Sequence, residues 1–126
     1  METQEYLVLS RGQWDSTASK EEIETAITKF YDWINDHVAH GRMKHGSRLT
    51  TERAVASKTG YVIDSAFAEG KEIIGGYWFI IASSLKQAAE YGAQNPCAAL
   101  GLSYEIRPLE GVRASAYDIT NETPQS

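Results

Sequence analysis

Residues 64–81 read DSAFAEGKEIIGGYWFII, a charged, glycine-marked segment that runs straight into an apolar strand. The run Tyr77-Trp78-Phe79-Ile80-Ile81 has no alternation of polar and apolar residues, so both of its faces are greasy. A strand of that kind is covered on both sides. Only one other run is like it, Tyr6-Leu7-Val8-Leu9, ahead of Arg11-Gly12. These two runs are therefore the expected centre of a sheet.

Between them lies KEEIETAITKFYDWINDHVAHG. Ile23, Ile27, Phe30, Ile34 and Val38 recur at spacings of three and four, the period of an amphipathic helix. Ser19 is the expected N-cap, Glu21 and Glu22 suit the first turn, and Gly41 or Gly46 can close the end. Val55 and Val62-Ile63 flank Lys58-Thr59-Gly60, which predicts a hairpin. Ser83 or Ser84 caps a second helix, LKQAAEYGAQN, which stops before Pro96. A last strand runs from Leu102 to Leu109, with Glu105 and Arg107 on one face as suits an edge.

The order is strand, helix, hairpin strands, strand, helix, strand. It predicts an α+β ferredoxin-like βαββαβ sandwich with an extra central hairpin. The expected domain covers residues 1–113, and residues 114–126 form a polar tail unless Tyr117 and Ile119 pack on something. Two helices cover one face of such a sheet. The other face would carry Trp78 or its neighbours into water, and an apolar patch of that size is rarely left exposed. A second copy packed sheet to sheet is the expected cover, with the hairpin or the tail as the alternative.

Composition narrows the function. The 126 residues suit one domain, 42% are hydrophobic, and the net charge of −5 disfavours nucleic acid or a basic membrane-surface helix as partner. The longest apolar stretch is too short to cross a bilayer, and the N-terminal residues do not read as a signal peptide. The lone Cys97 cannot form an internal disulfide, so the expected setting is cytoplasmic.

The stretch VIDSAFAEGKEIIGGYWFIIASSLKQAAEYGAQNPCAALGLSYEIRPLE resembles the DGPF branch of the YCII-related proteins. The likeness rests on Asp64-Ser65-Ala66-Phe67, then Glu69, Lys71-Glu72, Gly75-Gly76 and the closing Arg107-Pro108, with GRMKHGSRL upstream. It covers roughly residues 4 to 110, a span fixed by those motifs. The resemblance implies a dimeric α/β barrel of ferredoxin-like subunits, and some members are encoded beside alternative sigma factors; no cofactor is expected. Some relatives carry a proposed His-Asp pair in the cleft. In this chain Phe30 stands where their helix histidine falls by spacing from Gly41, and Asn95 stands before Pro96 where they have Asp.

The candidate chemistry follows from residue types. Asp64 ends an apolar run, where a partly buried carboxylate can act as acid or base, or simply form a turn. A helix histidine, His37 first, is its expected partner. Arg11, Arg53, Lys71 and Glu72 flank strand ends and could hold a small anion or pair on the surface. Trp78, with the other aromatics, could line a pocket or fill the core. His37 and His40 have a chelating spacing, but no second ligand cluster is visible, and no metal is expected. Two functions are carried forward. One is a small-molecule-binding or regulatory homodimer; the other is a metal-independent enzyme using Asp64 and His37.

Overall fold

The computed structural model describes residues 2–65 and 73–125, the side chains of Asp64 and Ser65 excepted. Its elements are β1 (Gln4–Arg11), α1 (Lys20–Ala39), β2 (Met43–Arg48), β3 (Glu52–Ser57), β4 (Gly60–Ser65), β5 (Ile74–Ala82), α2 (Leu85–Gly92) and β6 (Ser103–Pro108). A single 3-10 turn, Ala98–Leu100, precedes β6.

Four strands form an antiparallel sheet in the order β2-β5-β1-β6. Removal of the β3–β4 hairpin leaves βαββαβ connectivity, consistent with a ferredoxin-like fold. The two two-sided apolar runs, now parts of β1 and β5, are the central strands. They pair along their whole length, from Gln4↔Ala82 to Arg11↔Ile74.

One sheet face is covered within the chain. Tyr6, Val8, Trp78, Ile80 and Ala82 point to the helices and are buried with Ile34, Met43 and Ala88. Full burial of a side chain such as Val8 or Ile80 contributes about 1.5–3 kcal/mol. Trp78 thus belongs to the helix side. Its neighbours Tyr77, Phe79 and Ile81, with Leu7 and Leu9, make up the opposite face, where they are only half buried.

Local chemistry explains the helix ends. Ser19 forms a full capping box with Glu22: Glu22 N–H donates to Ser19 Oγ (3.0 Å), and Ser19 N–H donates to Glu22 Oε1 (2.9 Å). After the C-cap His40, Gly41 takes the left-handed conformation (φ 74°) that ends α1. Ser84 caps α2 through Gln87 N–H.

The second core strand departs from expectation. The sequence predicts an extra central hairpin, and β3–β4 is one; it does not predict β2, with sequence MKHGSR, which joins the main sheet. Its pattern was hidden because all but Met43 are exposed and the alternation breaks at a bulge between Lys44 and Ser47. The hairpin β3–β4 forms a separate two-stranded sheet. Every one of its residues from Glu52 to Ile63 is exposed, including Tyr61, Val62 and Ile63. It does not roof the open sheet face. Nor does the tail, in which Tyr117 is 97% exposed and Ile119 92%. Among the described residues no helix is long and apolar enough to cross a membrane.

Candidate functional site

A pocket of about 190 Å³ opens between α1 and the end of the sheet where β2 finishes and β5 begins. Its walls are rings: Phe30 and Tyr31 from α1, Trp78 from β5, and Trp14 from the loop after β1. Three of its polar residues come from a single row across the sheet. Arg48 lies opposite Gly76, Gly76 opposite Ser10, and Ser10 opposite Tyr104. Directly opposed residues share a face, and this row lies on the helix side with Trp78. All four residues line the pocket.

The bulge in β2 puts Arg48 there. Met43 faces the helices and pairs with Ile80; Lys44 faces outward and pairs with Phe79. An unbroken strand would turn residue 48 outward, like residue 44. The extra residue at His45-Gly46 reverses the parity, so that Ser47 pairs with Tyr77 and Arg48 with Gly76. Gly46 permits the bulge, because a Cβ there would lie 2.1 Å from the Tyr77 carbonyl oxygen. Gly76 is equally constrained: a Cβ would lie 2.8 Å from the Ser47 carbonyl oxygen. No other described residue pairs with the Arg48 guanidinium.

The far end of the row is uncharged. Burial, and to a lesser degree the neighbouring Cys97, pushes the Tyr104 phenol well above its ordinary pKa, so it stays a neutral donor. Burial likewise raises the Cys97 thiol, whose Sγ donates to the Ala26 carbonyl (3.6 Å). This thiol is a protected wall group, unsuited to nucleophilic attack. Asn95 Oδ1 accepts from Cys97 N–H (2.8 Å), while its Nδ2 turns toward Tyr104 without completing a well-formed hydrogen bond.

The expected site residues scatter around this pocket. Trp78 lines it. Arg11 is on the opposite sheet face, where its Nε donates to Glu105 Oε1 (2.6 Å) and holds that carboxyl below its usual pKa with help from Arg107. That contact is the surface pairing given as the alternative to anion binding. Arg53 is on the hairpin, paired through the backbone with Asp64. The Asp64 side chain, Lys71 and Glu72 lie outside the described residues.

His37 is not among the pocket-lining residues. It is buried against Trp33 and Tyr91, with ring centroids at 5.1 and 5.7 Å. Its Nδ1 accepts from Arg42 Nε at 2.8 Å, so the ring is neutral with its proton on Nε2. Burial first, then the Arg42 charge, holds its pKa below the ordinary histidine value. These contacts give His37 a packing role at the end of α1. His40 donates from Nδ1 to the Asp36 carbonyl (2.8 Å), and His45 stands at the pocket mouth. Among the described residues no group of three His, Cys, Asp or Glu side chains is arranged to hold a metal ion.

Sequence reasoning missed Arg48, Ser10 and Tyr104. The readable signal was His45-Gly46: a glycine inside a polar strand marks a bulge, and a bulge re-aims the residue that follows. Phe30, which stands at the relatives' histidine position, lines the pocket, and Asn95 is bonded to the Cys97 wall.

Comparison with known proteins agrees with this architecture. The family model for the YCII-related domain matches residues 5–110, from the first strand to just past the last. No curated protein matches the chain.

Proposed function

We propose that this chain, which belongs to the YCII-related family, is a homodimer that binds a small molecule in the pocket between α1 and the sheet. The observation that carries the binding reading is the row Arg48–Gly76–Ser10–Tyr104 beneath a ring-walled cavity. Small-molecule sites are concave and mostly apolar, with a few converging polar groups. This one brings together a cation with no partner among the described residues and two hydroxyls. The Asp64–His37 pair finds less support, because the His37 acceptor nitrogen already serves Arg42.

The dimer reading rests on the outer face of the sheet. Leu7, Leu9, Tyr77, Phe79 and Ile81 form one apolar block across the two central strands. Its margin is charged: Lys44 pairs with Glu5 (3.0 Å), and Arg11 and Arg107 with Glu105. An apolar centre inside a charged rim is the anatomy of a protein interface. The flat, two-fold-compatible shape of a sheet face suits a second copy.

The test of binding is a thermal-shift screen with small polar, aromatic and anionic compounds, since ligand binding raises Tm by mass action. Compounds that raise Tm should also perturb the emission of the pocket tryptophans, Trp14 and Trp78. If stabilising compounds leave that emission untouched, the site lies elsewhere and the pocket reading fails.

A further inference from the structure

We propose that the ligand is a small planar aromatic acid whose carboxylate is held by Arg48 and whose ring lies over Gly76, with a polar substituent reaching Ser10 and Tyr104. This rests on the pocket being the binding site.

The size of the cavity comes first. About 190 Å³ is below the roughly 300 Å³ at which sites for drug-sized ligands begin, so one ring with one or two substituents fits. The walls then select a flat, apolar body. Phe30 and Trp78 meet edge to face with centroids 6.3 Å apart, and Tyr31 also lines the cavity. Aromatic faces stack on another ring more favourably than on a branched aliphatic group of equal volume. Gly76 lines the cavity without a side chain of its own, so a ring there meets backbone.

Charge selects the head group. The chain is acidic overall, with net charge −5, yet this pocket carries an arginine with no partner among the described residues. A guanidinium is a planar fork that matches a carboxylate with two parallel hydrogen bonds. His45 stands beside it at the mouth as a second donor. Among the described residues no Asp or Glu lines the cavity to compete for that arginine.

The opposite end selects the substituent. Ser10 and Tyr104 are neighbours across β1 and β6 and offer two neutral hydroxyls. The strands of Arg48 and Ser10 are two steps apart, roughly 10 Å, and both side chains reach inward. A para-substituted ring bridges that interval. A hydroxyl group opposite the carboxylate would complete hydrogen bonds at both ends.

The experiment is a calorimetric and tryptophan-fluorescence titration with five probes: 4-hydroxybenzoate, benzoate, 4-hydroxybenzamide, phenol and inorganic phosphate. Affinity should fall in the order 4-hydroxybenzoate, benzoate, 4-hydroxybenzamide. Arg48→Gln should weaken both acids by about 10- to 100-fold and leave the amide unchanged, the loss expected for a charge-assisted pair. Tyr104→Phe should weaken 4-hydroxybenzoate by about 3- to 10-fold and spare benzoate. Arg48 is an exposed edge-strand residue, so the variant retains its fold; Arg48→Lys, with charge but no fork, should bind the acids with intermediate affinity.

Equal binding of acid and amide, or tighter binding of phosphate than of any ring, would overturn the aromatic-acid assignment. Phenol or the amide perturbing the pocket tryptophans in that case would leave the pocket itself standing. Failure of all five probes to bind would remove both.

Discussion

The two faces of the four-stranded sheet are built by alternate residues of the same strands, yet they end differently. The inner face, with Tyr6, Val8, Trp78 and Ile80, is closed by α1 and α2 and buried. The outer face, with Leu7, Leu9, Tyr77 and Phe79, is nearly as apolar but is covered by neither helix, hairpin nor tail among the described residues. One face is completed by folding; the other is the face assigned to the proposed dimer. Folding energy should therefore depend on the inner residues at any protein concentration. The outer residues should act through concentration.

The largest effect expected tests the inner face. Ile80→Ala should cost about 2–5 kcal/mol of unfolding free energy, because the site is fully buried and the cavity cannot collapse against a sheet backbone. Urea titration at several protein concentrations checks this, and the loss should be the same at each. On the outer face, Phe79→Asp should convert a sedimenting dimer to a folded monomer at micromolar concentration, with the far-ultraviolet circular dichroism retained. If the wild type itself sediments as a monomer there, the contrast between the faces loses its meaning and the dimer must be abandoned.

Much of this contrast was legible in the sequence, and the reason is physical. A central strand flanked by apolar groups on both sides reads as a continuous apolar run, and β1 and β5 are such runs. Likewise the capping box at Ser19 and the left-handed Gly41 announce the ends of α1 with local chemistry alone. The site was not legible in the same way. Ser10, Arg48 and Tyr104 come from three strands and meet only through register, and the register depends on a one-residue bulge at Gly46. Residue type cannot reveal that Arg48 faces inward while Arg11 faces outward. His37 is the converse case. A buried histidine with a satisfied acceptor looks in sequence like a free one.

His37 offers a pH-dependent way to sharpen the comparison, because it braces the inner face at the end of α1. Arg42, Asp36 and His40 are the charged or titratable groups around it, and Asp36 alone favours its protonation. Its folded pKa lies below the unfolded value near 6.5, so the unfolded state binds the proton first. The stability it contributes is full above about pH 6.5 and is lost as pH falls through that value toward the lowered folded pKa. Urea midpoints between pH 8 and pH 5 should decline in the wild type. In His37→Gln, which keeps an acceptor for Arg42 without the titration, the decline should be shallower. Identical slopes would show that other groups carry the acid sensitivity.

The smallest effect expected concerns the tail, and it is informative because it is small. The family match ends at residue 110, and beyond it Val112, Tyr117 and Ile119 are exposed without packing on either sheet face. Residues that contact nothing in the folded state contribute little to it, typically within about 0.5 kcal/mol. Deletion of residues 114–126 should therefore leave the urea midpoint unchanged. The dimer dissociation constant should also be unchanged, since the outer face is to be covered by its counterpart. A truncated chain that dimerises more weakly would mean that Tyr117 and Ile119 reach across to the partner's open face. The apolar block on β1 and β5 would then be met by a strap from the second copy in place of a second sheet.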